Sequence, residues 1–298
     1  MTKSSPILSL QNAIAASAFR IAPEREESLA AWRDLENFTL ALSEERDFHI
    51  RVNMKSHVAT FPVGALEFLW ASAHAFFVFH QEYVAAQAVG ANVLDFGGTP
   101  RIKGASELLW WSIRNMHSPG SETWPVTLPR PEQYPTSGTD GHVANELFLC
   151  AVAWIIHHEI AHVALQHGQG HPALRIKQER EADLRATTWI LERCTGSAER
   201  KKRILGMATA ILAMHLLDSR DDDAYVCTHP PTVERLDYCL DTAGVQDNGV
   251  ECAFCAVVMH FNLARHGFQG PLDGDSIRDV LRNQIIAYIT QHRQRFGR

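Results

Sequence analysis

Residues 143–166 read VANELFLCAVAWIIHHEIAHVALQ, and this stretch decides the fold because it predicts one long, buried helix. Apolar residues cover every side of such a helix, which is typical of a core helix rather than a surface helix. Asp140 or Asn145 could cap its start, and Gly168 suits its C-terminal end. Polar side chains in the middle of this apolar run need buried partners, and a metal ion supplies them.

The polar group inside this helix is the HExxH sequence His158-Glu159-Ile160-Ala161-His162. Residues four apart share one helix face, so His158 and His162 can donate two imidazole nitrogens to one Zn²⁺ ion. Glu159 flanks the same face and is placed to act as a general base on a water molecule. Because the chain has 16 histidines, about 0.05 such motifs are expected by chance, and the motif needs support from other segments.

A second segment, Glu179-Arg180-Glu181-Ala182-Asp183, supplies the carboxylates that a catalytic zinc site requires. Such a site takes three protein ligands, and we assign Glu179, which follows after a turn and half a helix, as the third. Asp183 shares the helix face of Glu179 and is expected to accept a hydrogen bond from a liganding imidazole. Glu181 is the rival ligand, although it points elsewhere when Asp183 faces the site. A solvated charged face is the alternative interpretation of the segment.

A third segment places His229 before Pro230-Pro231, with Arg235 between one and two helical turns further on. A Pro-Pro pair starts a helix rigidly, so the position of His229 would be well defined. The three segments together, over residues 143–240, resemble the membrane gluzincin family of HtpX and the CAAX prenyl proteases. The pattern of that family is HExxH, then ExxAD, then a His-Pro segment with an arginine six residues after the histidine.

The resemblance to this family implies a role for each matching residue. It implies that the zinc ligands are His158, His162 and Glu179. It implies that Glu159 is the catalytic base, and that His229 and Arg235 lie near the site and assist with the substrate or the oxyanion.

Transmembrane helices flank the site in those family members, and none is expected here. The two most apolar stretches, residues 65–90 and 145–165, contain histidines and glutamates that are costly in a lipid bilayer, so both are predicted to be buried core helices. The length, the central HExxH sequence and the expected solubility look more like the Lit-type phage-exclusion peptidases. Those are bacterial suicide proteases that cut elongation factor Tu, so this second resemblance implies a role in phage defence and that protein as substrate.

The chain as a whole predicts a mainly α fold, an α+β zincin with a small β component before residue 140. Residues 1–140 form a predicted N-terminal region with a helix from Pro23 to about Arg46, an edge strand at residues 48–52 and a long apolar helix at residues 64–89. This region is expected to supply the edge strand and the wall of the substrate cleft. A loop rich in proline and glycine at residues 118–141 separates it from the helical zinc-binding catalytic region, residues 141–298.

Composition and charge exclude several classes of partner. The net charge of −6 indicates no electrostatic binding of nucleic acid or of an anionic membrane. Six cysteines in a chain of 298 residues are typical of buried thiols in a reducing cytosol, and Cys252-x-x-Cys255 is predicted to be core rather than a structural zinc site. Gln11 and Asn12 interrupt the apolar run at the N-terminus, so a signal peptide is not expected and the predicted location is cytoplasmic.

Three histidines near the motif are not assigned to the site. His157 lies about 100° round the helix from His158 and is predicted to be a packing or hydrogen-bonding residue. His167 and His171 fall in the loop after the helix and are predicted to be solvated.

The motifs favour a zinc-dependent endopeptidase that hydrolyses peptide bonds of a specific intracellular protein. One alternative is a zinc-binding regulatory or sensor protein without turnover. The other is a metal-dependent hydrolase that acts on a non-peptide amide. The substrate, the cleavage site, the trigger and the oligomeric state do not follow from the sequence.

Overall fold

Helices dominate the computed structural model, which describes residues 5–30, 39–45, 48, 50–53, 55–56, 58–91, 94–95, 98–117, 123–168, 171–217 and 230–296. The longer helices are α1 (Gln11–Arg20), α2 (Val63–Ala88), α3 (Pro100–His117), α4 (Asp140–Ala164), α5 (Pro172–Leu191), α6 (Ser197–Leu217), α7 (Thr232–Thr242), α8 (Val250–Arg265) and α9 (Ile277–Phe296). Short 3₁₀ turns at Pro6–Leu10 and Pro23–Arg25 flank α1. The predicted mainly α fold with a small β component is therefore confirmed.

The β component is a sheet of three short strands that precedes α2. Its members are β1 (Thr39–Ser43), β2 (Arg51–Asn53) and β3 (Val58–Pro62). The strand order is β1-β3-β2; β1 runs parallel to β3 and β2 runs antiparallel to it. The predicted edge strand is present as β2, although it lies a few residues later than expected.

The helix predicted from Pro23 to about Arg46 is wrong over its second half. Residues 26–30 are helical, but Thr39–Ser43 forms strand β1. The hydrogen-bonding partner of β1 is β3, which lies on the far side of β2 in the sequence. Pairing with a strand this distant in sequence overrides the local preference for helix, and no local sequence pattern predicts such pairing.

Helices α2 and α4 form the centre of the fold. Both are long and apolar enough to cross a membrane by length and composition, but 94% and 72% of their most apolar windows are buried inside the protein. A helix that is apolar on every side is stable in water only when other elements cover it. Both are core helices, as the sequence predicts.

The two ends of α4 are capped by residues other than those predicted. The Thr139 hydroxyl accepts a hydrogen bond from the His142 backbone N–H at 3.3 Å, whereas Asp140 pairs with Arg101 at 2.7 Å. At the other end Gln166, rather than Gly168, adopts a left-handed conformation with φ of 54°. The proposed caps Asp140, Asn145 and Gly168 are therefore wrong, because Thr139 and Gln166 fill these roles.

Helix α6 packs against α4 with almost no space between the two backbones. A Cβ atom placed on Gly206 of α6 would lie 2.2 Å from the Cβ of Cys150 on α4. Only a glycine permits this close approach. The contact fixes α4, and the site that it carries, against α6.

One hydrophobic cluster spans the whole fold. It takes residues from the N-terminal segment, including Ile7 and Ile14, from α2, and from the helices after residue 140. The N-terminal segment is therefore packed into the core. The functional division of the chain at residue 140 stays a prediction.

Candidate metal centre

Three side chains from two helices converge at one point. His158 Nε2 lies 3.0 Å from His162 Nε2 and 3.3 Å from Glu179 Oε2, and His162 Nε2 lies 3.4 Å from Glu179 Oε1. Over the ranges that the structure describes, this is the one group of three or more ligand-type side chains with donor atoms close enough to share an ion.

The helix geometry explains how the three meet. His158 and His162 are one turn apart on α4, so their imidazoles lie one above the other on the same face. The chain then turns and α5 packs back against α4. Glu179 and Asp183, again one turn apart, occupy the face of α5 that meets the two imidazoles.

The separations fit a zinc ion. Ligand atoms at about 2.0–2.2 Å from a tetrahedral Zn²⁺ lie about 3.3 Å from one another. The two Nε2 atoms are 3.0 Å apart, and the Glu179 carboxylate places one oxygen 3.3 Å from His158 and the other 3.4 Å from His162. Two imidazole nitrogens and a carboxylate are also a ligand set that catalytic zinc sites use.

Asp183 lies directly behind the first histidine. Its Oδ1 is 2.8 Å from His158 Nδ1, and its side chain is fully buried. Arg235 on α7 donates two hydrogen bonds to it, from Nε at 2.8 Å and from Nη2 at 2.7 Å. The Tyr238 hydroxyl donates a third hydrogen bond, to Oδ2. This carboxylate is held rigidly and can fix the orientation of His158.

Charges around Asp183 set the protonation of this part of the site. Burial raises the pKa of the Asp183 carboxyl, but Arg235 and His158 outweigh this and hold the pKa well below its usual range. Burial also lowers the pKa of His158, and yet its contacts with Asp183 and Glu179 raise that pKa to about 10. A metal that binds His158 must therefore displace a proton from it.

Glu159 has the properties of a general base. It follows His158 on α4, and its side chain is half-buried. Burial, together with the negative charge of Glu179, raises the pKa of Glu159 to about 7, against the opposing effect of His158. A carboxylate whose pKa lies near neutral pH can both accept and return a proton under working conditions.

Of the two residues predicted to assist the substrate, Arg235 lies against Asp183, and only 3% of its surface is exposed. This placement favours a role in positioning Asp183 over direct contact with a substrate. His229 lies outside the described residues. Tyr238 is a site residue that the sequence analysis missed, although its position three residues after Arg235 on α7 places it on the same helix face.

The histidines around the motif divide into three environments. His157 is buried, stacks on Trp189 and contacts the Ala18 carbonyl at 3.0 Å, so its predicted packing role is confirmed. His171 is exposed, as predicted, and caps the start of α5. The prediction that His167 is solvated is wrong, because its side chain is only 8% exposed and its Nδ1 lies 2.9 Å from His162 Nδ1.

Two further predictions concern residues away from the three ligands. Glu181, the rival ligand, points away from them, and its Oε2 lies 3.3 Å from His167 Nε2. Cys252 and Cys255 are free, buried thiols, as predicted for core residues.

Comparisons with known proteins identify the family of the chain. The family model described as Peptidase U49 matches residues 60–256, which include α4, α5 and α7. The chain is also 39% identical, over 282 residues, to a protein named "Cell death peptidase" from Escherichia coli (strain K12). That alignment covers 93% of this chain and 95% of the relative. No solved structure matches the chain. The chain is therefore a peptidase and belongs to the Peptidase U49 family.

Proposed function

We propose that this peptidase is a zinc-dependent endopeptidase of the gluzincin type. The observation that carries the proposal is the convergence of His158, His162 and Glu179, whose ligand atoms lie within 4.8 Å of one another, with the two Nε2 atoms 3.0 Å apart and the Glu179 carboxylate 3.3–3.4 Å from both. Two histidines one helical turn apart, with the third ligand a glutamate from the next helix, is the arrangement that the resemblance to gluzincins implies.

The catalytic roles follow from the positions of the side chains. When bound, Zn²⁺ would supply Lewis acidity toward a water molecule and toward the carbonyl of the scissile bond. Glu159 takes the proton of the attacking water on its carboxylate and delivers it to the leaving nitrogen.

Two residues act around this centre. Asp183, held by Arg235 and Tyr238, orients His158 and keeps its Nε2 directed toward His162 and Glu179. His229 precedes Pro230 in the sequence, and its predicted contact with the oxyanion or the substrate remains part of the proposal.

The proposed substrate is a specific intracellular protein. The relative from Escherichia coli is named a cell death peptidase, which fits a protease whose target is essential to the cell that makes it. The resemblance to Lit-type phage-exclusion peptidases implies elongation factor Tu as that target, a role in phage defence and a cytoplasmic location.

The variant Glu159→Gln tests the proposal, because it removes the base but keeps the zinc ligands and the side-chain volume. Wild type and variant are each purified with zinc, their metal content is measured, and each is incubated with bacterial elongation factor Tu and with a cytosolic extract. New protein termini are then identified by mass spectrometry. We expect both proteins to carry one zinc and only the wild type to produce new termini.

The other outcomes separate the alternatives. Zinc binding with no new termini from the wild type would favour a zinc-binding sensor protein. Full activity in Glu159→Gln would remove Glu159 as the base. Cleavage by a wild type that carries no zinc, and that is insensitive to a chelator, would overturn the zinc-dependent mechanism. New termini in proteins other than elongation factor Tu would replace the proposed substrate while keeping the mechanism.

A further inference from the structure

His167 lies behind the zinc-ligand candidate His162 on the side away from Glu179. We propose that His167 is a positioning residue that orients His162 and fixes which of its nitrogens carries the hydrogen. This inference rests on the proposed zinc site and extends it by a residue that the HExxH and ExxAD motifs do not contain. Three features of the described residues support it.

The first feature is the way in which α4 ends. Gln166 adopts the left-handed conformation, and its backbone N–H donates to the Val163 carbonyl at 3.0 Å. The next N–H, that of His167, donates to the His162 carbonyl at 3.0 Å. This pair of hydrogen bonds is the Schellman arrangement, which reverses the chain over the last helical turn. The turn therefore brings the His167 side chain back against the imidazole of His162.

The second feature is the contact between the two imidazoles. His162 Nδ1 and His167 Nδ1 are 2.9 Å apart, and the rings are nearly perpendicular. Two ring nitrogens at this distance share one hydrogen, so one donates and the other accepts. If His162 Nε2 binds a metal, its Nδ1 carries the hydrogen and donates it to His167. His167 must then carry its own hydrogen on Nε2.

The third feature is the partner of that second nitrogen. Glu181 Oε2 lies 3.3 Å from His167 Nε2, on the side where the hydrogen is required. Lys177, one turn earlier on α5, lies 3.6 Å from the other oxygen of Glu181. The contact between His162 and His167 and the contact between His167 and Glu181 can therefore each pair one donor with one acceptor. Glu181, the rival ligand candidate, is therefore the last acceptor in this row of contacts.

His158 and His162 are thus supported in two different ways. Asp183 contacts His158 Nδ1 directly, whereas His162 Nδ1 reaches a carboxylate through His167. Partners of this kind raise the basicity of a liganding imidazole and restrict its rotation. Their removal from metal sites weakens metal binding or activity by about 10–100-fold.

The affinity for zinc, measured by competition with a chromophoric chelator at pH 7, tests the role of His167. The first variant, His167→Ala, removes the acceptor. His167→Leu also removes it but keeps an apolar side chain of similar bulk. His167→Asn keeps an acceptor, because its Oδ1 stands about where Nδ1 stands in histidine. His171→Asn is the matched control in the same loop, since asparagine preserves the cap of α5.

We expect His167→Ala and His167→Leu to weaken zinc binding by about 10–100-fold. His167→Asn should recover most of this loss, and His171→Asn should bind zinc as the wild type does. A role in packing alone predicts the reverse order, with His167→Leu better than His167→Asn. Wild-type affinity in all His167 variants would overturn the inference while leaving the zinc peptidase intact. A wild type that binds no zinc would instead refute the proposed function.

The nitrogen resonances of the zinc-loaded wild type give a second readout that is independent of variant folding. In protein labelled with ¹⁵N at histidine, we expect a hydrogen on Nδ1 of His162 and on Nε2 of His167. An unprotonated Nδ1 on His162, or a hydrogen on Nδ1 of His167, would overturn the inference.

Discussion

Arg235 donates two hydrogen bonds to the carboxylate of Asp183, at 2.8 and 2.7 Å, and both side chains are buried. This pair joins α7 to α5 directly behind the first zinc-ligand candidate. Because Asp183 also contacts His158, the pair connects the packing of α7 to the geometry of the metal site.

Replacement of Arg235 by alanine should destabilise the protein by about 3–5 kcal/mol, since it removes one of the two cationic partners of the buried Asp183 carboxylate and leaves His158 as the other. Chemical denaturation of the metal-free protein measures this loss. Arg282→Ala is the matched control, because Arg282 pairs with Asp237 at 3.1 Å on the surface and should contribute less than about 1 kcal/mol. Equal losses in the two variants would show that the buried pair has no special role.

Gly206→Ala tests the close packing of α4 on α6. The new methyl group would overlap the Cβ of Cys150, so we expect a loss of about 1–3 kcal/mol in unfolding free energy. Gly104→Ala is the control, because Gly104 lies inside α3 with nothing within 4 Å of an added Cβ. That variant should gain up to about 1 kcal/mol from helix propensity. The two changes should therefore have opposite signs, and the same sign in both would contradict the packing described.

Gln166→Gly tests the end of α4. A glutamine in the left-handed region is strained, and glycine relieves this, so the variant should be more stable by up to about 1 kcal/mol. Gly244→Ala makes the opposite change at a position with φ of +63° and open space around it, and it should lose about 1 kcal/mol. Thermal unfolding measures both. A loss of stability in Gln166→Gly would contradict the left-handed conformation of Gln166.

His215 makes stability depend on pH away from the metal centre. It is buried on α6, and the Asn262 amide donates to its Nε2 at 2.8 Å, which requires an unprotonated nitrogen. Burial lowers its pKa to about 3 in the folded protein, and the nearby cations assist. The groups that face it or act on it are Asn262, Tyr288, Arg265, His266 and His292.

The pKa of His215 is lower in the folded protein than in the unfolded chain, and this difference sets the direction in which stability changes with pH. The unfolded chain takes up a proton on His215 below about pH 6.5, and the folded protein does not until about pH 3. Acid therefore favours unfolding across this interval. Relative to His215→Gln, the wild type should lose about 2 kcal/mol between pH 7 and pH 5. A difference between the two proteins that is constant over this range would refute the buried, neutral histidine.

Much of the metal centre could be predicted from the sequence because its parts are local. His158, His162, Glu179 and Asp183 sit at helical spacings inside two helices, and the apolar run around the motif predicts a buried helix α4. Helix α2 was equally predictable, since residues 63–88 are apolar on every side.

The features that could not be predicted depend on the path of the chain between elements. The sequence around strand β1 favours a helix, because the partner β3 that makes it a strand is distant in sequence. The sequence favours a solvated His167, because the turn that returns it to His162 is made by Gln166 rather than by a glycine. The part played by Arg235 depends on how α7 packs on α5, which spacing along the chain does not show.

Anomalous diffraction at the zinc absorption edge, from crystals of the zinc-loaded wild type, tests the central claim most directly. We expect one strong peak at a point about 2.0–2.2 Å from His158 Nε2, His162 Nε2 and a Glu179 carboxylate oxygen. A peak at other side chains, or no peak in protein that cleaves its substrate, would contradict the zinc peptidase described.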